Sequence, residues 1–359
     1  AQTSPAAVAA LGGVDLVVGN ADKTRLPDLL DGLLAAPRHG PRLAVGDVAA
    51  ARLEPIPPRP HPAGRARAFL KVQDGCQHRC AFCIVPLARG RSRSLDPAMV
   101  EEHARRLVEA GHPEIVLTGI DLGHYGADLR PRVSLAALLG RLVHVSGLRW
   151  LRLSSMLPSY FTDEVLEILT SAPAIAPHFH VPLQSGSDRV LRAMRRPYTV
   201  ATYRRVVERL ARAIPRLGLG ADVIVGFPGE TDDDFAATLD LVGTLPFSYL
   251  HVFPYSPRQG TSAAALPGRL DARTVAERAR RLREVDAGQR LRFQQAMVGR
   301  TEEVLVLERR DRERGELSGL TGNYLEVTFP GPEHLRRAIA RVRVTAADGT
   351  AARGILEAA

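Results

Sequence analysis

From residue 66 onward, short apolar runs alternate with longer segments in which apolar residues recur every three or four positions. Runs typical of strands lie at 66–73, 114–120, 149–155, 178–184, 220–227 and 248–255. Amphipathic segments typical of helices lie at 97–110, 134–145, 162–171, 187–213, 231–245 and 271–297. Six strand-then-helix units in succession predict an α/β fold with a parallel sheet, here a partial (βα)6 barrel over residues 66–297.

The region before this barrel has a different pattern. Residues 1–45 contain only a strand-like run at 14–18 and an apolar periodic segment at 26–34, which together are too little for a domain. A proline-rich connector follows at 46–65, and its repeated X-Pro bonds favour extended backbone and exclude a helix. We therefore expect a linker between a short leading segment and the barrel.

Residues 298–359 form a second, smaller unit. They contain strand-like runs at 302–308, 324–329 and 339–345, joined by Gly and Asp turns. This pattern predicts a small C-terminal antiparallel β-barrel. Because the unit is rich in arginine, we expect it to bind a partner rather than to carry out chemistry.

The overall composition is that of a globular protein, with 45% apolar and 24% charged residues among 359. No stretch approaches the roughly 18–20 apolar residues of a membrane span, so we expect a soluble, cytoplasmic protein. Lys plus Arg number 48 against 39 Asp plus Glu, a formal charge of +9 that favours an anionic partner. All the basic residues but Lys23 and Lys71 are arginines, a skew that GC-rich coding also produces, so charge alone is weak support for nucleic-acid binding.

The cysteines are the most informative residues. Cys76, Cys80 and Cys83 are the only ones and lie in one loop after the first barrel strand. An odd, crowded set cannot form a disulfide framework. Three thiolates in one loop can hold three corners of a [4Fe–4S] cluster and leave one iron open. A Cys3His zinc site that includes His78 is the alternative, although His78 lies between two of the cysteines, where reaching the same ion would strain the loop.

The C-x3-C-x2-C loop followed by six βα units resembles the radical S-adenosylmethionine (SAM) superfamily. The resemblance implies that the open iron binds SAM and that reductive cleavage gives a 5′-deoxyadenosyl radical. It also implies that Phe82, just before the third cysteine, lies against the adenine of SAM. Further motifs narrow the resemblance to methylthiotransferases; they lie at 90–94, 117–119, 152–155, 180–187, 222–230 and 251–257.

Within these methylthiotransferases, residues 76–83, 88–93 and 118–123 are most similar to the branch that modifies N6-threonylcarbamoyladenosine at tRNA position 37. The C-terminal barrel resembles a TRAM domain, an RNA-binding module. The resemblance implies tRNA and an electron donor of the flavodoxin or ferredoxin type as partners. We expect a monomer; the sulfur donor is not identified by the sequence.

Several residues at predicted strand ends are candidates for cofactor binding. They are Thr118, Gly119, Ser154, Ser155, Gln184 and Gly226. Strand ends of βα barrels carry the chemistry, and glycines there allow close approach of a ligand to the backbone. The alternative is ordinary: glycines turn the chain after strands, and serines cap helices. His180 and His251 are interpreted as hydrogen-bonded core histidines rather than ligands.

The candidate RNA-binding residues are basic. Arg89, Arg91 and Arg93 alternate with small residues beyond the cysteines, and Arg309 and Arg310 lie in the C-terminal barrel. Positions such as these suit phosphate contacts, although a solvated surface is the alternative. Tyr324 and Phe329 are nearby, but filling the core of the barrel is the favoured interpretation for both.

The chain departs from the methylthiotransferase pattern in three ways. The family carries an amino-terminal domain with three more cysteines that hold a second [4Fe–4S] cluster, and residues 1–35 resemble only the tail of that domain. We therefore expect one cluster and SAM cleavage from this chain, with sulfur insertion and the second cluster only in a full-length form. Gln77 replaces a usual Asn, and Leu157 stands where a glutamate is usual, which removes a carboxylate contact.

Two other functions remain open on the sequence alone. One is a sister methylthiotransferase that modifies an aspartate of a ribosomal protein. The other is a non-enzymatic, zinc-stabilised RNA-binding protein without redox chemistry. The six βα units are far more scaffold than a zinc site needs, which favours the enzyme.

Overall fold

The structure is a computed structural model, and it describes residues 1–35, 40–49, 51, 53, 64–311 and 314–357. Most of the predicted proline-rich connector, including its run of prolines, lies outside the described residues. No helix in the described ranges is long and apolar enough to cross a lipid bilayer.

The predicted elements occur in the predicted order, and the structure adds short elements that the sequence pattern does not predict. The helices are α1 Pro5–Ala9, α2 Leu26–Leu34, α3 Val85–Arg89, α4 Pro97–Glu109, α5 Leu135–Leu142, α6 Asp163–Ser171, α7 Asp188–Ala193, α8 Val200–Ala213, α9 Asp232–Thr244 and α10 Ala272–Gln295. The strands are β1 Leu16–Val18, β2 Arg42–Ala44, β3 Arg67–Lys71, β4 Gln73–Asp74, β5 Arg93–Ser94, β6 Glu114–Thr118, β7 Trp150–Leu153, β8 His178–His180, β9 Gly218–Val225, β10 Tyr249–Pro254, β11 Thr301–Arg310, β12 Leu317–Thr321, β13 Glu326–Phe329, β14 Ile339–Ala347 and β15 Ala352–Leu356. Among the added elements are α1 and β2 in the leading segment and α3, β4 and β5 around the cysteine loop.

The central region is a partial barrel of six parallel strands. Strands β3, β6 and β7 form one sheet, and β8, β9 and β10 form the other. A parallel bridge between Leu151 and Ile175 joins them, and the Leu151 N–H donates to the Ala174 carbonyl at 2.7 Å. Among the described strands β3 and β10 do not pair, so the barrel is open between them. The predicted α/β fold with a partial (βα)6 barrel is confirmed.

The core lies between the strands and the surrounding helices. Alternate strand residues such as Ala68, Leu70 and Leu219 face the helices and are buried with the apolar faces of α4, α5 and α8. Side chains alternate along a strand, so their neighbours face the opposite side, which is the barrel lumen. The lumen is consequently polar and aromatic; its residues include Arg67, Phe69, His178, His180, Asp222, Tyr249, His251 and Phe253.

One predicted helix is wrong. The segment 187–213 is two helices, α7 and α8, separated by residues 194–199. Pro197 has no N–H to donate and disfavours helical backbone at Arg196 before it. Thr199 then starts α8 by accepting a hydrogen bond from the Thr202 N–H. The break lies beside the cysteine loop and places Arg196 next to Cys80.

The C-terminal strands form a closed barrel in the order β11-β12-β13-β15-β14. Four of its five pairings are antiparallel, and β13 pairs with β15 in parallel. The predicted barrel is confirmed, and it contains two further short strands, β12 and β15, that the sequence pattern does not predict. Phe329 is fully buried in this barrel, as favoured, whereas Tyr324 is 38% exposed and lies outside its core.

The turn between β12 and β13 joins the two barrels. The Tyr324 ring stacks on His178 with a centroid distance of 4.4 Å, and Asn323 Nδ2 donates to the Arg216 carbonyl at 2.9 Å. A Cβ on Gly218 would lie 2.0 Å from the Asn323 carbonyl oxygen, so only glycine lets the turn approach this closely. The C-terminal barrel is thereby fixed at the amino-terminal end of the partial barrel.

A buried ion pair lies at the same joint. Arg152 Nε and Nη2 donate to the two Glu114 oxygens at 2.7 and 3.2 Å, and Arg152 Nη1 donates to the Gly322 carbonyl at 2.9 Å. Both side chains are almost completely buried. Because a buried carboxylate without a partner is costly, the pair makes the docking of the turn specific.

We therefore expect Arg152→Met to destabilise the protein strongly. Loss of the guanidinium removes both short hydrogen bonds to the buried Glu114 and leaves it only Arg67 at 3.9 Å, and breaking a buried pair in this way costs about 3–5 kcal/mol. Chemical denaturation followed by circular dichroism measures the change. Arg105→Met is the matched control, since Arg105 pairs with Glu101 on the exposed face of α4 and such pairs contribute about 0–1 kcal/mol. Equal stabilities of the two variants would contradict the assignment.

Candidate cluster and cofactor site

The three cysteines line one cavity at the carboxyl-terminal end of the barrel strands. Cys76, Cys80 and Cys83 are partly buried and face a cavity of about 270 Å³. The backbone of the loop is fixed at Gly75, which has a φ of 77°. A Cβ there would lie 2.0 Å from the Arg91 carbonyl oxygen, so the loop requires glycine at this position.

Gln73 holds the base of this loop. It is completely buried, and its Nε2 donates to the Gly75 carbonyl at 2.7 Å and to Ser92 Oγ at 2.8 Å. Its Oε1 accepts the Asp121 N–H at 2.8 Å. One amide side chain therefore connects the loop to the residue before β5 and to the segment after β6, and no sequence motif points to it.

The charges around the cysteines differ from one side of the loop to the other. Asp121 Oδ2 lies 3.7 Å from Cys76 Sγ, and burial together with this carboxylate raises the pKa of Cys76 to about 12. On the other side, Arg196 Nη1 donates to Cys80 Sγ at 3.2 Å. A metal cluster compensates thiolate charge, so three thiols at one cavity fit three corners of a [4Fe–4S] group.

Arg196 is placed by the break between α7 and α8. Its Nε donates to Tyr198 Oη at 2.9 Å, and Tyr198 donates to the Pro182 carbonyl at 2.8 Å. Arg196 Nη2 is buried without a hydrogen-bond partner among the described residues. A buried donor without a partner is costly, so it fits a carboxylate ligand in the cavity, such as that of SAM.

His78 is occupied by other contacts. Its Nε2 lies 2.9 Å from Tyr160 Oη and 3.4 Å from Asp121 Oδ2. These contacts give the ring nitrogen partners other than a metal ion, which argues against the Cys3His zinc alternative. The neighbouring Gln77 Nε2 lies 3.3 Å from His124 Nε2.

Three of the predicted cofactor-binding residues line the cysteine cavity. They are Phe82, Ser155 and Gln184, and Leu157 lines it as well. Gln184 has a φ of 72°, a left-handed backbone that is uncommon for a residue with a side chain. Its N–H donates to the Asp222 carbonyl at 2.7 Å, and its carbonyl accepts from Ile224, which hold this conformation at the cavity wall.

The other predicted residues are not among those that line the cavity. The Gly119 N–H lies 3.4 Å from Ser154 Oγ, and a Cβ on Gly119 would lie 2.8 Å from Gln73 Oε1. A Cβ on Gly226 would lie 2.5 Å from Val275, and the Gly226 N–H donates to the buried Glu230 carboxylate. The Thr118 carbonyl accepts from Val72 at 3.0 Å. These contacts position the loops around the cavity.

The predicted basic residues fall into two groups. Arg91 and Arg309 are exposed. Arg89 pairs with Asp74 at 3.1 Å, Arg93 donates to backbone carbonyls, and Arg310 pairs with Glu333 at 2.7 Å. Arg91 and Arg309 are therefore free to meet solvent, whereas the other three already have partners within the chain.

A row of hydrogen-bonded side chains crosses the lumen below the cysteine cavity. Asp222 Oδ1 lies 3.0 Å from His180 Nε2 and 3.2 Å from His251 Nδ1, and Tyr249 Oη lies 3.1 Å from His180 Nδ1. These contacts hold the pKa of Asp222 below its usual value although burial opposes this. His180 is hydrogen-bonded, as interpreted from the sequence, but His251 is half exposed in the lumen. Atoms of His180, Asp222 and His251 that could bind a metal ion lie within 4.8 Å of one another. The hydrogen bonds between these side chains account for their closeness.

Comparison with known proteins agrees with this site. The model of the radical SAM superfamily matches residues 70–242. Threonylcarbamoyladenosine tRNA methylthiotransferase MtaB of Bacillus subtilis (strain 168) is 39% identical over 96% of this chain and 76% of that protein. A tRNA-2-methylthio-N(6)-dimethylallyladenosine synthase of Moorella thermoacetica is 39% identical over 93% of this chain and 74% of that protein.

A further relative and a solved structure are also similar to this chain. The protein of Aquifex aeolicus (strain VF5) that is also named MtaB is 37% identical over 94% of this chain and 80% of that protein. Among solved structures, the radical SAM methyltransferase TsrM from Kitasatospora setae has a TM-score of 0.47 at 21% identity, over 55% of this chain and 38% of that chain.

The cysteine loop, the barrel beneath it and the matching family model define a radical SAM protein. Within this superfamily the chain belongs to the methylthiotransferases, given its identity to them over most of its length. It is an enzyme, a transferase that uses a [4Fe–4S] cluster and SAM. The zinc-stabilised, non-enzymatic alternative is thereby wrong.

The cysteine loop should be sensitive to a single added methyl group. Gly75→Ala forces a Cβ against the Arg91 carbonyl and a left-handed backbone onto alanine, so we expect most of the bound iron to be lost. Iron and labile sulfide per chain after anaerobic reconstitution measure this. Gly140→Ala is the control, because Gly140 lies within α5 with open space at its Cβ and should gain about 0.5–1 kcal/mol. Normal iron content in Gly75→Ala would contradict the prediction.

Proposed function

We propose that this chain is a cytoplasmic tRNA methylthiotransferase that converts N6-threonylcarbamoyladenosine at position 37 to its 2-methylthio derivative. The observation that carries the proposal is the position of the cysteine cavity, which adjoins a polar and aromatic lumen with an arginine-rich barrel fixed at its other end. Two of the relatives described above are named for threonylcarbamoyladenosine. A dimethylallyladenosine synthase of equal identity supports tRNA as the substrate class.

Each group of residues has a role in this proposal. When bound, the cluster and SAM would supply the radical chemistry needed at the C2–H bond of the adenine. Cys76, Cys80 and Cys83 hold the cluster, and Arg196 offers its unpartnered Nη2 to the SAM carboxylate. Phe82, Ser155 and Gln184 form the wall against which SAM would lie.

The RNA-binding residues of the proposal are those exposed to solvent. Arg91, beside the cysteine loop, and Arg309, on the C-terminal barrel, can reach phosphates without breaking an ion pair within the chain. Phosphate contacts position a nucleic acid without reading its sequence. Such contacts would hold the tRNA while the modified base reaches the lumen from the open side between β3 and β10.

Analysis of tRNA nucleosides tests the substrate. Mass spectrometry of tRNA from cells that lack the gene should show loss of 2-methylthio-N6-threonylcarbamoyladenosine and build-up of its precursor, compared with cells that keep it. An unchanged tRNA profile together with loss of a methylthiolated aspartate in a ribosomal protein would instead establish the sister function.

Cys83→Ala separates cluster chemistry from RNA binding. Removal of one thiolate should abolish reductive SAM cleavage, measured as 5′-deoxyadenosine release, while tRNA affinity stays within about twofold because the mutated loop does not alter the C-terminal barrel. Ser146→Ala is a suitable control for handling and reconstitution, since Ser146 is exposed and lies in the turn before β7, at the end of the barrel away from the cysteines. Full SAM cleavage by Cys83→Ala would sink the cluster assignment.

A further inference from the structure

A second cavity opens beside the lumen at the gap in the barrel. It has a volume of about 360 Å³ and lies where the edge strands β3 and β10 approach α10 and the C-terminal barrel. Its charged and aromatic polar lining consists of Arg67, Tyr249, His251, Arg290, Tyr324 and Glu326, beside smaller polar residues and an apolar wall. We call this cavity the side cleft. None of the residues predicted from the sequence as a site lies in it.

The side cleft adjoins the cysteine cavity through one contact. His251 lines the cleft, Asp222 lines the cysteine cavity, and the two side chains are 3.2 Å apart. In a purine, N1 separates C2 from the C6 that carries the N6 substituent, so the outward bonds at C2 and C6 point in different directions. An adenine that presents C2 to the cysteine cavity at this level of the lumen can therefore direct its N6 substituent into the side cleft.

Positive charge predominates at the inner end of the side cleft. Arg67 Nη1 lies 3.9 Å from Glu114, but that carboxylate already accepts two hydrogen bonds from Arg152. One carboxylate thus faces two guanidinium groups. The pKa of the neighbouring His178 is well below its usual value. Burial is the main cause, and the charges of Arg152, His180 and Arg67 lower it further.

The other charged groups of the side cleft have partners of their own. Arg290 pairs with Asp286 at 3.1 Å, and Glu326 accepts a hydrogen bond from Ser318 at 3.0 Å. Arg67 is therefore the cation with the weakest internal pairing, and it is only about one-fifth exposed. A partly buried guanidinium with donors to spare is suited to a carboxylate.

We propose that the side cleft binds an anionic, amino-acid-like substituent on N6 of the substrate adenosine, with Arg67 as the partner of its carboxylate and Arg290 at the outer wall. This rests on the proposed function. It names the feature of the site that would distinguish a threonylcarbamoyl from a dimethylallyl substituent on N6. A threonylcarbamoyl group brings a carboxylate, a hydroxyl and amide groups to Arg67, Tyr249 and His251. A dimethylallyl group would exclude water from Arg67 and supply no acceptor, which is unfavourable.

Binding of three anticodon stem–loops tests the proposal without any chemistry. The stem–loops differ only at position 37, which carries adenosine, N6-dimethylallyladenosine or N6-threonylcarbamoyladenosine, and fluorescence anisotropy measures the affinity of the reconstituted full chain. Arg67→Gln should weaken binding of the threonylcarbamoyl form by about tenfold or more, as expected for a hydrogen bond to a charged group. Its affinity for the other two forms should change by less than about twofold. Arg67→Lys, which keeps the charge, should recover part of the loss.

The experiment has a control variant outside the side cleft. Arg105→Gln removes a guanidinium from the outer face of α4 and should leave all three affinities unchanged. Equal losses for all three stem–loops in Arg67→Gln would overturn the side-cleft proposal, because Arg67 would then act on the RNA backbone or on the fold. Tighter binding of the dimethylallyl form than of the threonylcarbamoyl form by the unaltered chain would also overturn it. Failure of the unaltered chain to bind any stem–loop would overturn the proposed function itself.

Discussion

The alternation of side chains along parallel strands is the constraint on which this molecule depends. Helices cover one face of the sheet, so every second residue of a strand must be apolar, as Ala68 and Leu70 are. The remaining positions face the lumen and are free to carry histidine, tyrosine, arginine or aspartate. Packing and chemistry are thereby assigned to different residues of the same strands, and the site can vary without cost to the core.

The parallel barrel and the cysteine loop could be predicted because their signals are local. Short apolar runs, amphipathic segments and three clustered thiols are each visible within a few tens of residues. The helix at 187–213 was wrong because its periodicity continues through Pro197, and the pattern outweighed a single breaker. The position of Arg196 beside Cys80 depends on this break, so it could not be predicted from an unbroken helix.

Other parts of the site depend on contacts between segments that are far apart in the chain. Gln73 is a lone amide in the sequence, and its role becomes evident only when Gly75, Ser92 and Asp121 surround it. Asp222 and His251 lie on neighbouring strands 29 positions apart. Single polar residues of this kind give no periodic signal, so sequence patterns cannot distinguish them from solvated positions or caps.

The docking of the β12–β13 turn has a consequence for the distance between the C-terminal barrel and the cysteine loop. Tyr324, Asn323 and the Arg152–Glu114 pair fix the C-terminal barrel at one end of the partial barrel, and the cysteine loop lies at the other end. The span from a strand's first residue to its last is set by backbone geometry, so the separation between the two ends is nearly constant. An RNA held on the small barrel would therefore present its bases to the lumen at a preset distance, and the protein would act as a ruler that selects a nucleotide by its place in a folded RNA.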